Sequence, residues 1–354
     1  MSEPERSIGV YCLDVGQGDA TVVLPPSGEG GPIVFDCRDD VVITKLLTQW
    51  KQKEIQALVL SHLDWDHIAG ARQLLQSKDV KVHSIFLNID RDIRSTHDKA
   101  KEAKALLDVA RQGEKDHKWY LAPTVRDPRR PVAGGADWCV DLLAPPFGKY
   151  IDMERDGEWE DPNCLSGVLR VRFGKTVVLV GGDAPLRSWA EMPTENLPAR
   201  IFRVPHHGGN VDDGETPDGW DVARLYGEVS PSEAVVSVGT QNGYSHPRFE
   251  CVEPVARGRC RLMCTQVSET CQPGIKEDAE AQLGAVLGHR SLVEPEWRHS
   301  TDRRRKRQRH EVPCAGTVAI ALYPDKDPRV LPLPDAHSEI VNLWSKSICR
   351  PEAV

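Results

Sequence analysis

Four side chains of metal-ligand type fall within six positions, in Ser61-His62-Leu63-Asp64-Trp65-Asp66-His67. They stand where a continuous apolar run, Ala57 to Leu60, ends and a helical pattern from Ile68 to Gln76 begins. On an extended strand end, His62 and Asp64 at i and i+2 point the same way, while Asp66 and His67 turn toward a second position as the helix starts. Imidazoles and carboxylates so arranged can serve two adjacent divalent ions. The bland alternative is a polar loop in which Asp66 caps the helix and both histidines lie on the surface.

Other chemistry-bearing residues stand apart from this segment. Asp183 follows an apolar strand pattern and two glycines, in Val180-Gly181-Gly182-Asp183, so its carboxylate can approach a neighbouring group closely; an ordinary turn aspartate reads the same way. His206 and His207 are adjacent, and adjacent side chains on an extended segment point in opposite directions. One of them is expected to face a site, as a metal ligand or as a proton donor to a leaving oxygen, and a structural role suits the other. Gly16 and Gly18 permit a turn that Asp14 or Asp19 could hold through backbone hydrogen bonds, either as local capping or in support of a site.

The elements that must position these residues are short and punctuated by Gly and Pro. Strands are expected at 8–13, 20–24, 33–36, 57–60, 140–143, 165–173, 176–180, 201–204, 235–238 and 317–323, with helices at 41–50, 68–76 and 98–111. Strands joined directly by turns, mixed with helices that follow some of them, predict two sheets with helices outside. Residues 251–313 change character, with four cysteines, a Pro/Glu-rich stretch and a basic run, and read as an insertion or appendage before the last strand.

His62-x-Asp64-x-Asp66-His67, followed by Gly70, resembles the metal-binding signature of the metallo-β-lactamase superfamily. It is most similar to the ComEC-type branch, which has Asp where other branches have a second His. Further segments resemble that branch's motifs in the order it would require. They are Leu13-Asp14-Val15-Gly16-Gln17-Gly18-Asp19-Ala20, Val34-Phe35-Asp36, Asn163 with Ser166 and Leu169, Val180 to Ala184, Val204 to Gly208, and Tyr244-Ser245-His246-Pro247. The resemblance covers residues 8 to 250 or so.

The resemblance implies an α/β fold, the αββα sandwich of two mixed sheets flanked by helices, with metals at the strand-end edge. The catalytic core would be 1–250, the Cys-containing and Arg-rich appendage 251–313, and the final core strand and C-terminal segment 314–354. Two divalent ions would be held by His62, Asp64, Asp66, His67, Asp183 and His246, with Asp183 bridging them and His246 the last ligand of the second. Asp66 would also act as base, with His206 or His207 as the catalytic imidazole. Asn163 stands near where another His is expected, so the donor set is oxygen-rich and favours Mn²⁺ first and Zn²⁺ second.

The implied activity is metal-dependent hydrolysis, with a phosphodiesterase or nuclease acting on DNA or RNA first. The alternatives are a small-molecule hydrolase (cyclic nucleotide, phosphonate, lactone or thioester), a subunit active only in a multiprotein system through 251–313, or an inactive metal-bound scaffold. ComEC proteins carry membrane helices around such a domain. No run of about 18 apolar residues occurs in this sequence, so neither a membrane association nor a DNA-uptake channel is expected.

Cys260, Cys264 and Cys271, with Cys314 downstream, could give a structural Zn²⁺ site, though their spacing departs from short paired knuckles and buried free thiols fit as well. The N-terminus lacks a signal-peptide pattern, so a cytoplasmic location with reduced thiols is expected for the ten cysteines. The net charge of −8 argues against a generally basic nucleic-acid binder, yet Arg303 to Arg309 holds six positive charges in seven residues. That run could steer a nucleic acid to the protein, or it could be a solvated loop.

Overall fold

The computed structural model describes residues 6–88, 98–156, 162–257, 260–279, 282–283, 286, 311–344 and 348–349 of the 354. The Arg303–Arg309 run lies outside them. Among the described residues, two large sheets face each other. The eight-stranded sheet has the order Arg329–Leu331, Val318–Leu322, Ile8–Cys12, Thr21–Leu24, Ile33–Phe35, Ala57–Val59, Ser84–Phe86, Tyr120–Ala122. The seven-stranded sheet has the order Arg261–Cys264, Glu233–Val236, Ile201–Arg203, Thr176–Val180, Val168–Phe173, Trp138–Ala144, Ala133–Gly134.

Alternation along the strands builds three apolar layers from these two sheets. Ile8, Val10, Val23, Phe35 and Val59 point inward against Val140, Val171, Phe173 and Val178 of the other sheet. The opposite-facing Val22, Val34 and Leu58 pack outward on the helices Asp40–Gln49, Ala71–Leu75 and Asp98–Lys115. On the far side, Leu179, Phe202, Ala234 and Val236 are covered by Leu186–Ala190, Val222–Val229, Phe249–Ala256 and Pro334–Val341. Side chains such as Phe35 and Phe202 are wholly buried, each worth about 1.5–3 kcal/mol over exposure. This is the αββα sandwich that the strand pattern and the motifs predict. No helix among the described residues is long and apolar enough to cross a membrane.

The stretch that composition sets apart enters the core. Arg261–Cys264 is the edge strand of the second sheet, parallel to Glu233–Val236. Val318–Leu322 then crosses to the first sheet, antiparallel to Ile8–Cys12, and is followed by one more strand, Arg329–Leu331.

Pairing direction decides where the loops gather. Ala57–Val59 runs parallel to Ile33–Phe35, while Thr176–Val180, Ile201–Arg203 and Glu233–Val236 form a parallel run in the other sheet. The carboxyl ends of these strands lead into the segments containing His62 to His67, Asp183, His206-His207 and His246. One edge of the sandwich therefore collects residues spread over more than half the chain.

Candidate metal centre

Asp183 occupies the middle of this edge, and its two carboxylate oxygens face different groups. Oδ1 lies 3.2 Å from His67 Nε2 and 3.9 Å from His207 Nε2. Oδ2 lies 3.7 Å from His62 Nε2 and 3.9 Å from His206 Nε2. Asp66 Oδ2 joins the first group, 3.5 Å from His207 Nε2, and Asp64 Oδ2 joins the second, 3.8 Å from His62 Nε2. The result is two adjacent donor clusters that share one carboxylate.

The close approach of Asp183 depends on the two glycines before it. A Cβ on Gly181 would sit 2.9 Å from the Pro205 side chain, and one on Gly182 would sit 2.6 Å from Ser166 Oγ and 2.7 Å from the Gly167 carbonyl. Gly182 also has φ +52, where a side chain is strained. Gly182→Ala is therefore expected to lower stability by about 1–3 kcal/mol through overpacking and backbone strain. It should also weaken metal binding, read as a lower urea midpoint and a raised metal requirement. Wild-type values in both would remove this account of the turn.

Each imidazole is held by Nδ1 so that Nε2 points inward. His67 Nδ1 donates to Asp36 Oδ2 at 2.8 Å, and the same carboxylate accepts from the Ser61 backbone NH and hydroxyl. His207 Nδ1 donates to the Ser237 carbonyl at 2.9 Å and lies 3.2 Å from Asp19 Oδ1. His206 Nδ1 donates to the Asn210 carbonyl at 2.7 Å. His62 Nδ1 lies 3.0 Å from Ser61 Oγ and 3.5 Å from Ser166 Oγ, and Ser166 Oγ accepts from the Asp183 backbone NH. Orienting partners of this kind fix ring and tautomer around metal ligands.

The inward atoms have no such partners. His62 Nε2, His67 Nε2, His207 Nε2 and Asp183 Oδ1 are buried and make no hydrogen bond. Leaving polar atoms so is unfavourable unless something else satisfies them. Charge tells the same story. Burial would raise the carboxylates, yet the imidazoles around them, foremost His67, hold Asp183 well below the usual carboxylate range. The His207 imidazole, 3.5 Å away, and the charge of His67 do the same for Asp66 against its own burial. Burial would depress the imidazoles, yet the charges of Asp183 and Asp36 raise His67 well above its usual range, and those of Asp19 and Asp183 push His207 up to about 10. The cluster holds a surplus of negative charge that only protons or cations can neutralise. A nitrogen and oxygen donor set of this kind fits divalent ions.

Both His206 and His207 face the site, which the extended-segment argument does not allow. The reason is backbone: both residues lie in the left-handed region, with φ 53 and φ 54, so the alternation of an extended chain does not apply. His207, 2% exposed, stands with Asp66 and His67 as a cluster able to hold an ion. His246 lies one ring further out, its centroid 5.4 Å from that of His206 and 6.2 Å from that of His207. Burial and the neighbouring imidazoles of His207 and His206 push it down to about 4, so it is neutral near pH 7. Asn163 is the second residue of the short turn Pro162–Leu165, and its backbone carbonyl accepts from the Ser166 backbone NH at 2.9 Å, delivering Ser166 to the site.

The cysteines fall elsewhere. Cys314 Sγ lies 3.7 Å from His337 Nε2, the thiols of Cys264 and Cys271 interact with Cys349, and Cys260 contacts the Arg261 carbonyl. Among the described residues, every group of three or more Cys, His, Asp or Glu whose donor atoms converge on one point lies at the strand edge. The four-cysteine zinc site that the spacing left open beside free thiols is not supported, because Cys260 and Cys314 point to other partners.

Comparison with known proteins places the sequence in context. Residues 13–123 match the family described as Metallo-beta-lactamase superfamily. The chain is 24% identical over 298 residues to ComE operon protein 3 of Bacillus subtilis, covering 74% of this chain and 32% of that protein. It is 25% identical over 288 residues to Recombination protein 2 of Haemophilus influenzae, covering 76% of this chain and 29% of that protein. The match spans under a third of the length of either curated relative. Among solved structures, the metallo-beta-lactamase fold protein YhfI from Bacillus subtilis aligns with a TM-score of 0.41 at 14% identity, covering 73% of this chain and 96% of its own.

Proposed function

We propose, from the premise that the chain carries a metallo-β-lactamase superfamily domain, that the strand-edge cluster holds two divalent ions and that the protein is a metal-dependent phosphodiesterase acting on nucleic acid. The observation that carries this is Asp183, whose two oxygens each face a separate pair of imidazoles. His62, Asp64 and Asp183 would hold one ion, and Asp66, His67, His207 and Asp183 the other. His207 takes the place that the motifs suggest for His246, which stands by as an outer imidazole with its Nδ1 buried and free of hydrogen bonds. Three aspartates in the set favour Mn²⁺ or Mg²⁺ over Zn²⁺.

Bound there, such ions would lower the pKa of a water toward neutrality and draw charge from a phosphoryl group. The chain's own residues supply the rest. The Asp66 carboxylate, held ionised, accepts the proton of the attacking water and orients it. His206 is the most exposed of the inward imidazoles, its side chain 28% accessible, and it stands on the Asp64 side of Asp183. From there it donates a proton to the departing oxygen or offsets charge on the phosphoryl group. Asp36, Ser61, Ser166, Ser237 and Asp19 keep these rings from turning.

A nucleic-acid substrate is supported by the ComEC-type motifs and agrees with the name Recombination protein 2 borne by one relative. The test is a hydrolysis panel of single- and double-stranded DNA, RNA and a generic phosphodiester with Mn²⁺, Mg²⁺ or Zn²⁺. Metal-dependent polymer cleavage, strongest with Mn²⁺ and abolished by chelator, is the expected outcome. Cleavage of only the generic diester, or of lactones and thioesters, would replace this substrate class.

The basic run supplies a separate prediction. Replacing Arg303, Arg304, Arg305, Lys306 and Arg307 by Gln should weaken polynucleotide binding and reduce the slope of log affinity against log salt by up to about four. An unchanged slope, measured by anisotropy across a salt series, would leave the run as a solvated loop.

A further inference from the structure

A cavity of 440 Å³ opens directly beside Asp66, lined in part by Gln17, Arg38, Trp65, Tyr244 and Glu311. Its volume falls within the roughly 300–1,000 Å³ of small-ligand sites. Two of its walls are aromatic rings open to solvent, Trp65 at 36% and Tyr244 at 51% exposure. Most large apolar side chains among the described residues are buried, so a pair of exposed rings on one cleft marks a surface for binding.

The rings are held for that use. Trp65 stands between Asp64 and Asp66 in the chain, so its distance from the reacting centre is fixed by covalent structure. The Arg38 guanidinium lies over its ring, 5.8 Å from the centroid, and Arg38 Nε donates to the Gln17 carbonyl at 3.0 Å. Tyr244 lies nearly parallel to His246, with centroids 5.6 Å apart and planes at 24°, which sets the plane of its ring while half of the side chain stays accessible. The cleft thus combines two aromatic walls with one oriented cation and the carboxylates of Asp66 and Glu311, next to the proposed phosphodiester-cleaving centre.

We propose that this cleft takes one nucleotide of a single-stranded polynucleotide, its unpaired base stacked on Tyr244 and Trp65 and its phosphate toward Arg38. The inference rests on the phosphodiesterase reading above and adds strand specificity to it. A base inside a duplex has both faces covered by its neighbours, so these rings gain nothing from it until it is unstacked. An unpaired base offers its face at once, and every base has one, so recognition by stacking tolerates sequence. Tyr244 and Trp65 are binding residues, separate from the donors that hold the ions.

The test is fluorescence anisotropy with protein as purified and a fluorescein-labelled phosphorothioate strand of about 16 nucleotides, alone and as a blunt duplex. The single strand should bind more tightly than the duplex. Tyr244→Ala and Trp65→Ala should each weaken it by about tenfold, with little change for the duplex, and Tyr244→Phe should keep wild-type affinity. Equal binding of both forms, or single-strand affinity unmoved in both alanine variants, overturns the proposal. If phosphodiester strands are then still cut in a metal-dependent way, only the stacking role falls. If neither binding nor cleavage of any strand is found, the phosphodiesterase reading falls with it.

Discussion

Replacing Asp66 by Asn is expected to lower metal-dependent hydrolysis by about 10³-fold or more, with the fold intact. The change is isosteric, so packing at this partly exposed side chain is kept, with 21% accessibility. The structural work of Asp66 belongs to its backbone, whose carbonyl accepts from the Asp19 NH at 2.9 Å, and that bond survives the substitution. What is lost is a negative charge, one anionic donor oxygen and the proton acceptor beside His207. The variant should therefore show wild-type circular dichroism and an unfolding midpoint close to wild type, together with a lost rate at every metal concentration. Turnover within tenfold of wild type would exclude Asp66 as base and as ligand. A rate restored by excess Mn²⁺ would keep it as a ligand alone.

The parts of this site that sequence reasoning reaches are those written in one short segment. His62, Asp64, Asp66 and His67 sit at a strand-to-helix transition, and strand geometry alone divides them into two directions. Asp183 is reachable for a related reason, since two glycines at the end of an apolar strand announce a close approach. The geometry of His206 and His207 is not reachable in this way. Consecutive left-handed residues without glycine are rare, and neither His announces that conformation, so alternation suggests one ring inside and one outside. With both rings inside, His207 stands beside Asp66, and His246 lies further out.

Supporting residues are the least legible because their partners are remote. Asp36 ends an ordinary strand and reveals its role only through His67, 31 residues away, and Ser61. The edge strand Arg261–Cys264 lies in a stretch whose composition looks foreign to the core, so only its pairing with Glu233–Val236 identifies it. Short helices such as Leu186–Ala190 and Val222–Val229 span too few turns for apolar periodicity to outweigh the Pro, Gly and Asp around them.

Arg203 is the extreme case, and it yields the largest expected effect on stability. It ends the apolar strand Ile201–Arg203, is 1% exposed, and donates from Nη1 and Nη2 to the two oxygens of Asp19, each at 2.6 Å. Those partners are 184 residues apart. Asp19 in turn lies 3.2 Å from His207 Nδ1, so the pair sits directly behind a proposed metal ligand. Arg203→Leu leaves a buried carboxylate without its cation and is expected to destabilise the protein by about 3–5 kcal/mol, read from the urea midpoint at constant slope. Adding Asp19→Leu removes the stranded charge and should recover most of that loss, because a buried ion pair exchanged for apolar side chains is often close to neutral. Metal affinity should behave differently: with no carboxylate behind His207, the double variant is expected to stay about 10–100-fold weaker than wild type. Stability and metal affinity that recover together would reduce the pair to packing alone. A double variant as unstable as Arg203→Leu would place the loss in the leucine's fit to the site rather than in the uncompensated charge.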